Sequence, residues 1–254
     1  MTGQPIGEFA RLGINGPTDL AFGPNGDLFV VNWSANTVTE HNGNTGAFIR
    51  VFASSGLNFP NSLVFTPWGT LIVSNQAGAT IREFDGKTGA FLRVFASGVG
   101  VGVSGLTIGP NGNLFVSDVF SGNIREYQPD GTFVGIFAQG NGLEYPEGLT
   151  FGPKGNLFVA SDGNSSIYEF DGKTGAFIQQ ITANQGGLSC PVGLAFDPYN
   201  GHLMASNWAQ ALGTTISEVD TKSGSLVGTL SGGGLQAPFG MHYKPGALRR
   251  IGHR

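Results

Sequence analysis

Aromatic residues and short polar residues recur at fixed places along this chain, and together they have the chemistry of a binding site. Trp33 and Trp208 each follow an asparagine, whereas Phe59, Tyr145 and Phe239 lie beside prolines. Aromatic rings next to amide and carboxylate groups suit the stacking and hydrogen bonding of a sugar or a peptide. The predicted ligand-binding residues are Trp33, Trp208, Phe239, Phe59, Tyr145, Asn32, Asn75, Asp118 and Asn207.

Two structural interpretations stand beside this prediction. A short polar side chain at the end of a strand can bond the backbone of the loop that follows, and the residues Asn32, Asn75, Asp118 and Asn207 recur in that way. The indoles of Trp33 and Trp208 can equally pack between neighbouring repeat units. Both interpretations stay open at the level of the sequence.

Residues with stronger catalytic chemistry show no convergent pattern. The four histidines occupy unrelated positions of the repeat, which disfavours a catalytic triad or a zinc cluster. The single cysteine, Cys190, excludes an internal disulfide and a cysteine-rich zinc site. The sequence therefore assigns no catalytic residue.

The elements that position these residues follow from an internal repeat. The segment EFDGKTGAF begins at Glu83 and again at Glu169, and related segments begin at Glu40 and Glu126, which gives a period of 43 residues. A second set of matching segments starts at positions 17, 60, 103, 146, 191 and 238. Each unit contains four short strand signals separated by glycine-rich turns.

The second strand of each unit selects the architecture. Residues 28–31 and 157–159 are apolar at every position, so each small sheet must be covered on both faces. Four-stranded antiparallel sheets stacked around an axis satisfy this requirement. The sequence therefore predicts an all-β chain that folds over residues 1–254 as a single six-bladed β-propeller.

The sixth blade combines the two ends of the sequence. Phe9 lies 43 residues before Phe52, so residues 2–10 align with a fourth strand, whereas the repeat starting at 238 supplies a first strand. Its third strand is missing. A shortened chain, a three-stranded blade, or completion by another chain in an oligomer would each explain this.

Variation between the units indicates which face of the propeller acts. In such a meander the loops after the second and fourth strands share one face, here called the channel face, and the DGKTG turns lie on the opposite, far face. The far-face turns are nearly uniform, whereas the second residue of the first strand differs in every unit: Thr18, Asn61, Ser104, Glu147, Val192 and Phe239. We expect the binding site on the channel face.

The signature PxGLxFGPxGNLFVxDxxxxxIxEFDG resembles the NHL repeat over nearly the whole chain. More distantly, the chain is similar to the gluconolactonase and senescence-marker propellers and to the streptogramin lyase. The NHL resemblance implies a propeller fold. It leaves function open, because such propellers include protein-binding and RNA-binding modules as well as lyases.

The gluconolactonase resemblance implies a divalent metal in the channel. Glu147, Asn61 and Asp19 would be the ligands, and their oxygens suit calcium or another hard divalent cation. Val192 and Phe239 depart from the family's pattern.

Composition narrows the function classes. With a net charge of −4 and no basic stripe, the chain is not expected to bind nucleic acid. It has no apolar run of membrane-spanning length and no visible signal peptide, so we expect a soluble protein with no membrane partner, whose compartment stays open. We expect a binding or scaffold module whose partner is a protein, a peptide or a carbohydrate. The alternatives are a metal-dependent hydrolase or lyase, and an architectural repeat fragment.

Overall fold

The computed structural model describes residues 7–182, 187–208, 215–231 and 240–241, and these residues form twenty β-strands in five sheets. Blade one contains β1 (Pro17–Phe22), β2 (Leu28–Asn32), β3 (Thr37–His41) and β4 (Phe48–Ala53). Blade two contains β5 (Pro60–Phe65), β6 (Thr70–Asn75), β7 (Thr80–Asp85) and β8 (Phe91–Ser97). Blade three contains β9 (Val103–Ile108), β10 (Leu114–Asp118), β11 (Asn123–Tyr127) and β12 (Phe133–Gln139). Blade four contains β13 (Pro146–Phe151), β14 (Leu157–Ser161), β15 (Ser166–Phe170) and β16 (Phe177–Ile181), and blade five β17 (Pro191–Phe196), β18 (Leu203–Asn207), β19 (Thr215–Asp220) and β20 (Ser225–Ser231).

Each blade is a four-stranded antiparallel meander, and the predicted all-β propeller is confirmed. Every residue of the second strands β2, β10, β14 and β18 is buried, in agreement with the prediction from the apolar runs 28–31 and 157–159. In the described part of the chain, no helix has the length and apolar character needed to cross a membrane.

The hydrophobic core lies between the blades. One cluster joins Phe29 and Phe52 of blade one to Leu71 and Phe84 of blade two, and three further clusters join each later pair of neighbouring blades. The ring of Phe29 meets the rings of Phe52 and Phe65 edge to face, each at 4.8 Å between centroids. Burial of apolar area on both faces of every sheet is the main stabilising term.

The number of blades differs from the prediction. The described residues form five blades and give no support for six. The last strand of a sixth blade was predicted at residues 2–10; residues 2–6 lie outside the described residues, and residues 7–10 form no strand, because no described neighbouring strand pairs with them. Of the repeat starting at 238, only Gly240 and Met241 belong to the described residues.

Phe9 and Gly240 nevertheless make the packing contacts that the repeat predicts for their positions. A Cβ atom on Gly46 would overlap the carbonyl oxygen of Phe9, just as one on Gly89 would overlap that of Phe52. At the other end of the sequence, Gly240 packs against Asp19 of β1. The alignment of Phe9 with Phe52 is therefore reproduced in the packing, although no strand forms there.

The repeated glutamate of the third strand binds an arginine that contacts the neighbouring blade. The carboxylate of Glu83 accepts hydrogen bonds from Thr70 Oγ1 at 2.7 Å and Arg93 Nε at 2.6 Å. The same guanidinium donates to the carbonyl oxygens of Pro129 and Asp130, in the far-face turn of blade three. Burial alone would raise the pKa of Glu83, but the hydrogen bonds from Thr70 and Arg93 hold this pKa below its ordinary value.

This clamp predicts a stability effect for Arg93→Ala. We expect the variant to lose about 1 kcal/mol of unfolding free energy, because a charged hydrogen-bond donor to a neighbouring blade disappears. Urea unfolding would measure it. Arg11→Ala is the control, since the one ion pair of Arg11 among the described residues is with Glu8 at 3.8 Å and both side chains are largely exposed. Equal losses in the two variants would contradict the clamp.

Candidate functional site

A cavity of about 340 Å³ lies where the first strands of the five blades meet. Its wall includes residues of β1, β5, β9, β13 and β17, together with Gly240 and Met241. The volume is at the lower end of the range for small-molecule sites.

A β-bulge interrupts the first strand of each blade at the cavity. The register shifts between Pro17 and Asp19 in blade one and between Pro60 and Leu63 in blade two, and blades three, four and five repeat the shift. Bulges redirect side chains and are common beside functional sites. Here they fall at the second and third residues of the strand, which are the residues that vary between repeats and line the cavity.

Serine residues in the second strands stabilise three of these bulges. The hydroxyl of Ser74 accepts a hydrogen bond from the amide of Ser62 at 2.8 Å and donates to the carbonyl of Ser104 in the next blade at 2.9 Å. Ser117 and Ser206 accept bonds from the bulge amides of Gly105 and Gly193. The sequence analysis missed these serines, although each directly precedes the residue that ends its strand.

Three equivalent residues of consecutive blades form a hydrogen-bonded chain along the cavity wall. Asn61 Nδ2 donates to Ser104 Oγ at 2.8 Å, and Ser104 Oγ donates to Glu147 Oε2. Each link joins positions 43 residues apart. The period that builds the blades therefore also aligns these polar groups.

Asp19 is the second carboxyl group of the cavity wall. Its Oδ2 accepts hydrogen bonds from Ser62 Oγ at 2.6 Å and from the amide of Leu63 at 3.1 Å, and its Oδ1 accepts one from the amide of Leu20 at 2.8 Å. Burial raises its pKa to about 6 despite these three donors. Burial also raises the pKa of Glu147 to about 7; the nearby charge of Asp162 adds to this rise, and the Ser104 hydrogen bond opposes it.

The raised pKa of Glu147 predicts a pH-dependent stability difference. The folded state favours the protonated form of the Glu147 carboxyl group more than the unfolded state does. The contribution of this preference to the unfolding free energy is therefore fully present below about pH 4.5 and is lost as the pH rises towards 7. Relative to the wild type, Glu147→Gln should therefore become more stable by about 2 kcal/mol between pH 4.5 and pH 8. Denaturant unfolding at the two pH values would show this. A difference in unfolding free energy between Glu147→Gln and the wild type that is the same at the two pH values would contradict the assignment.

The polar residues that end the second strands are buried and close the channel-face loops. Asn32 Oδ1 accepts a hydrogen bond from the amide of Asn15 at 2.9 Å, and Asn207 Oδ1 accepts one from the amide of Ser189 at 3.0 Å. Asn75 does the same in blade two, while Asp118 pairs with Arg125 at 2.9 Å. These contacts are those of the structural interpretation. A role of Asn32, Asn75, Asp118 and Asn207 in ligand binding stays a prediction.

The aromatic residues occupy two positions that are hydrogen-bonded to each other in every blade. The amide of the residue after the second strand donates to the carbonyl of the residue before the first strand. The five donor–acceptor pairs are Trp33–Gly16, Gln76–Phe59, Val119–Gly102, Asp162–Tyr145 and Trp208–Cys190. An aromatic ring stands at one position of the pair in blades one, two, four and five.

These rings remain accessible. Exposed fractions are 37% for Trp33, 39% for Phe59, 51% for Tyr145 and 41% for Trp208. Trp33 and Phe59 stack on each other with 4.3 Å between their centroids, so this pair bridges blades one and two at the surface. In blade three, Phe120 is 67% exposed in the loop after β10.

Phe120 was missed by the sequence analysis, because it lies one residue further along the loop than Trp33 and Trp208 do. With it, every blade presents one exposed aromatic ring on the channel face. Phe239, the remaining aromatic prediction, lies outside the described residues.

The predicted metal ligands share the cavity wall but have different partners. Asp19 is held by blade two, whereas Glu147 and Asn61 both bond to Ser104. Across the described ranges, no group of three or more histidine, cysteine, aspartate or glutamate side chains could hold a metal ion. Assignment of Glu147, Asn61 and Asp19 as ligands of calcium or another divalent cation stays a prediction.

Comparison with solved structures confirms the architecture. The chain is similar to a chain of the nidogen/laminin complex, with a TM-score of 0.78 and 18% identity over 91% of this chain and 86% of that chain. It is also similar to streptogramin B lyase, with a TM-score of 0.68 and 20% identity over 88% and 72% of the two chains. A third match is catalytically inactive virginiamycin B lyase from Staphylococcus aureus with quinupristin, with a TM-score of 0.70 and 17% identity over 91% and 75%.

At these identities the likeness establishes the fold, which is a β-propeller. It agrees with the distant NHL-type relationship that the repeat signature indicates. The known protein families give no match to the chain, and neither do the curated proteins.

Proposed function

We propose that the chain is a binding module that acts through its channel face. The observation that carries this proposal is the presence of one exposed aromatic ring on the channel face in each of the five described blades, at positions that otherwise vary between repeats. A ring of rigid, amphipathic side chains around a concave site is typical of recognition surfaces.

Backbone conformation supports a binding role for two of these rings. Phe59 and Tyr145 have φ angles of 51° and 48°, in the left-handed region that is unfavourable for bulky residues. Each also precedes a proline, which further restricts the backbone. In blade one the equivalent position holds Gly16, which adopts φ 63° without this penalty. Aromatic side chains kept at such positions indicate a use other than stability.

A peptide is the ligand that we assign to this face. The stacked Trp33–Phe59 pair and the exposed rings of Phe120, Tyr145 and Trp208 offer several apolar contact points on the channel face. Spacing of this kind suits an irregular chain with alternating side chains.

Selection of heptapeptides from a random phage-displayed library on the immobilised protein would test the proposal. We expect resynthesised peptides to lose at least about tenfold in affinity for Trp33→Ala, because truncating an aromatic anchor typically costs about 2 kcal/mol. Calorimetric titration would give the dissociation constants.

Trp68→Ala is the matched control, because Trp68 has the same exposure of 37% as Trp33 but lies in a far-face turn. We expect Trp68→Ala to leave the affinity unchanged. Peptides that depend on Trp68 and not on Trp33 would contradict the proposal, and so would a selection that enriches no peptide.

A metal-dependent hydrolase or lyase is the second candidate. The hydrogen-bonded chain of Asn61, Ser104 and Glu147 favours it, because it aligns oxygen-bearing side chains in the cavity. Calorimetric titration of the purified protein with calcium and manganese would decide between the candidates. A stoichiometric ion whose binding is lost in Glu147→Gln would favour the enzyme, and the binding module predicts no such ion.

A further inference from the structure

Positive charge is unevenly distributed over the propeller. All four described lysines, Lys87, Lys154, Lys173 and Lys222, lie in far-face turns. Near the channel face, the guanidinium of Arg125 is already paired with Asp118 at 2.9 Å, Arg11 pairs with Glu8, and Arg82 donates to the carbonyl oxygen of Ser55 in the loop before β5. Among the described residues that line the cavity there is no lysine, arginine or histidine.

Negative charge is concentrated where the basic residues are absent. Asp19 and Glu147 line the cavity, and the charge of Asp162 acts on Glu147 from the neighbouring loop. The two carboxyl groups of the cavity differ in how many hydrogen bonds they already accept. Asp19 takes three donors from the protein, whereas Glu147 takes one, on Oε2 from Ser104, and no described residue donates to its Oε1.

Apolar side chains and an aromatic ring surround the approach to Glu147. Leu106, Leu149 and Val192 contribute buried apolar surface to the cavity wall. Tyr145 lies two residues before Glu147 in the sequence, in the channel-face loop before β13, and is 51% exposed. A long aliphatic side chain with a charged tip fits this combination, because its stem can lie on apolar surface while its tip meets a carboxylate. The aromatic ring adds a favourable surface for a cation.

We propose that the peptide ligand of the channel face carries a lysine or arginine side chain that enters the cavity and is bound by Glu147. This inference rests on the proposed function and narrows its ligand class. A bare metal ion fits less well, since hard cations require several oxygen ligands, and Asp19 already accepts donors from blades one and two.

A double-mutant cycle between peptide and protein tests the inference. In each selected heptapeptide, lysine is replaced by acetyl-lysine or arginine by citrulline, which removes the charge and keeps the length. We expect the replacement to weaken binding to the wild type at least about tenfold, the loss typical of a charged hydrogen bond. With Glu147→Gln, we expect the same replacement to change the affinity less than about twofold, since the acceptor charge is already gone.

Glu144→Gln is the control variant, because Glu144 is exposed in the loop just before β13 and lies outside the cavity. It should respond to the peptide replacement as the wild type does. The affinities of the wild-type protein for the charged and the neutralised peptides can be compared without any protein variant. The inference therefore remains testable even if Glu147→Gln folds poorly.

The outcomes separate this inference from the proposed function. Peptides that lack lysine and arginine, or that tolerate their neutralisation, overturn the inference, while the binding module stands if affinity still depends on Trp33. Calcium that displaces the charged peptide and binds at Glu147 also overturns it. Peptides that depend on Trp68 alone overturn the proposed function itself.

Discussion

Gly89→Ala is expected to lower the unfolding free energy by roughly 3 kcal/mol or more, whereas Gly69→Ala should cost only about 1 kcal/mol. Both glycines lie in far-face turns of blade two and have positive φ angles, of 77° and 92°. An alanine at either position therefore pays the same backbone penalty.

The two positions differ in what a side chain would meet. A Cβ on Gly89 would overlap the carbonyl oxygen of Phe52 in the outer strand of blade one, whereas a Cβ on Gly69 would meet no atom within 4 Å. A backbone carbonyl in a packed sheet cannot move aside, so Gly89→Ala must push two blades apart. The same overlap recurs at Gly46 against Phe9 and at Gly175 against Phe137.

Thermal unfolding followed by circular dichroism would compare the two variants. For a chain of this size, a loss of 3 kcal/mol corresponds to a fall in Tm of roughly 6–12 °C. Gly69→Ala should stay within about 4 °C of the wild type. If the two variants unfolded at the same temperature, the turn that contains Gly89 in the EFDGKTGAF segment would not be a contact between blades.

Tyr145→Gly should separate binding from stability. We expect this variant to bind the selected peptides at least about tenfold more weakly, because an exposed anchor of the aromatic ring is removed. Its unfolding free energy should stay equal or rise by about 1 kcal/mol, since glycine relieves the left-handed strain at φ 48°. Calorimetric titration and urea unfolding measure the two effects.

Cys190→Gly provides the matched control for the backbone. Cys190 occupies the same position of blade five, precedes Pro191 and has a φ angle of 50°. Burial raises the pKa of its thiol, which makes the group a poorer nucleophile. We expect Cys190→Gly to gain stability as Tyr145→Gly does and to keep the wild-type affinity. A loss of stability without loss of affinity in Tyr145→Gly would show that the ring packs structurally.

The repeat predicted the blade architecture because equivalent residues make equivalent contacts in successive blades. Arg93 of blade two contacts Pro129 and Asp130 of blade three, and Phe29 of blade one contacts Phe65 of blade two, through positions that recur with the period of 43 residues. The uninterrupted apolar sequence of β2 and β14 already required sheets covered on both faces. Periodicity does not show whether an isolated segment finds a strand to pair with, and residues 7–10 therefore gave a wrong expectation of a strand.

The site was predictable in part. Variation between repeats led to Glu147 and Asn61, and the gluconolactonase resemblance added Asp19; all three line one cavity wall. The bulges that direct them inward, and the hydroxyl of Ser74 that supports one of them, could not be inferred, because a serine in a strand has no unique partner. Phe120 escaped detection because its position in the repeat differs from that of the other aromatic residues.

Single-tryptophan fluorescence tests the central claim most directly. Trp68→Phe/Trp208→Phe leaves only Trp33 on the channel face, and Trp33→Phe/Trp208→Phe leaves only Trp68 on the far face. Each variant is saturated with a selected heptapeptide, with saturation verified by calorimetry. We predict that the peptide shifts the emission of Trp33 and leaves that of Trp68 unchanged. A shift of the Trp68 emission with Trp33 unaffected would contradict the assignment of binding to the channel face.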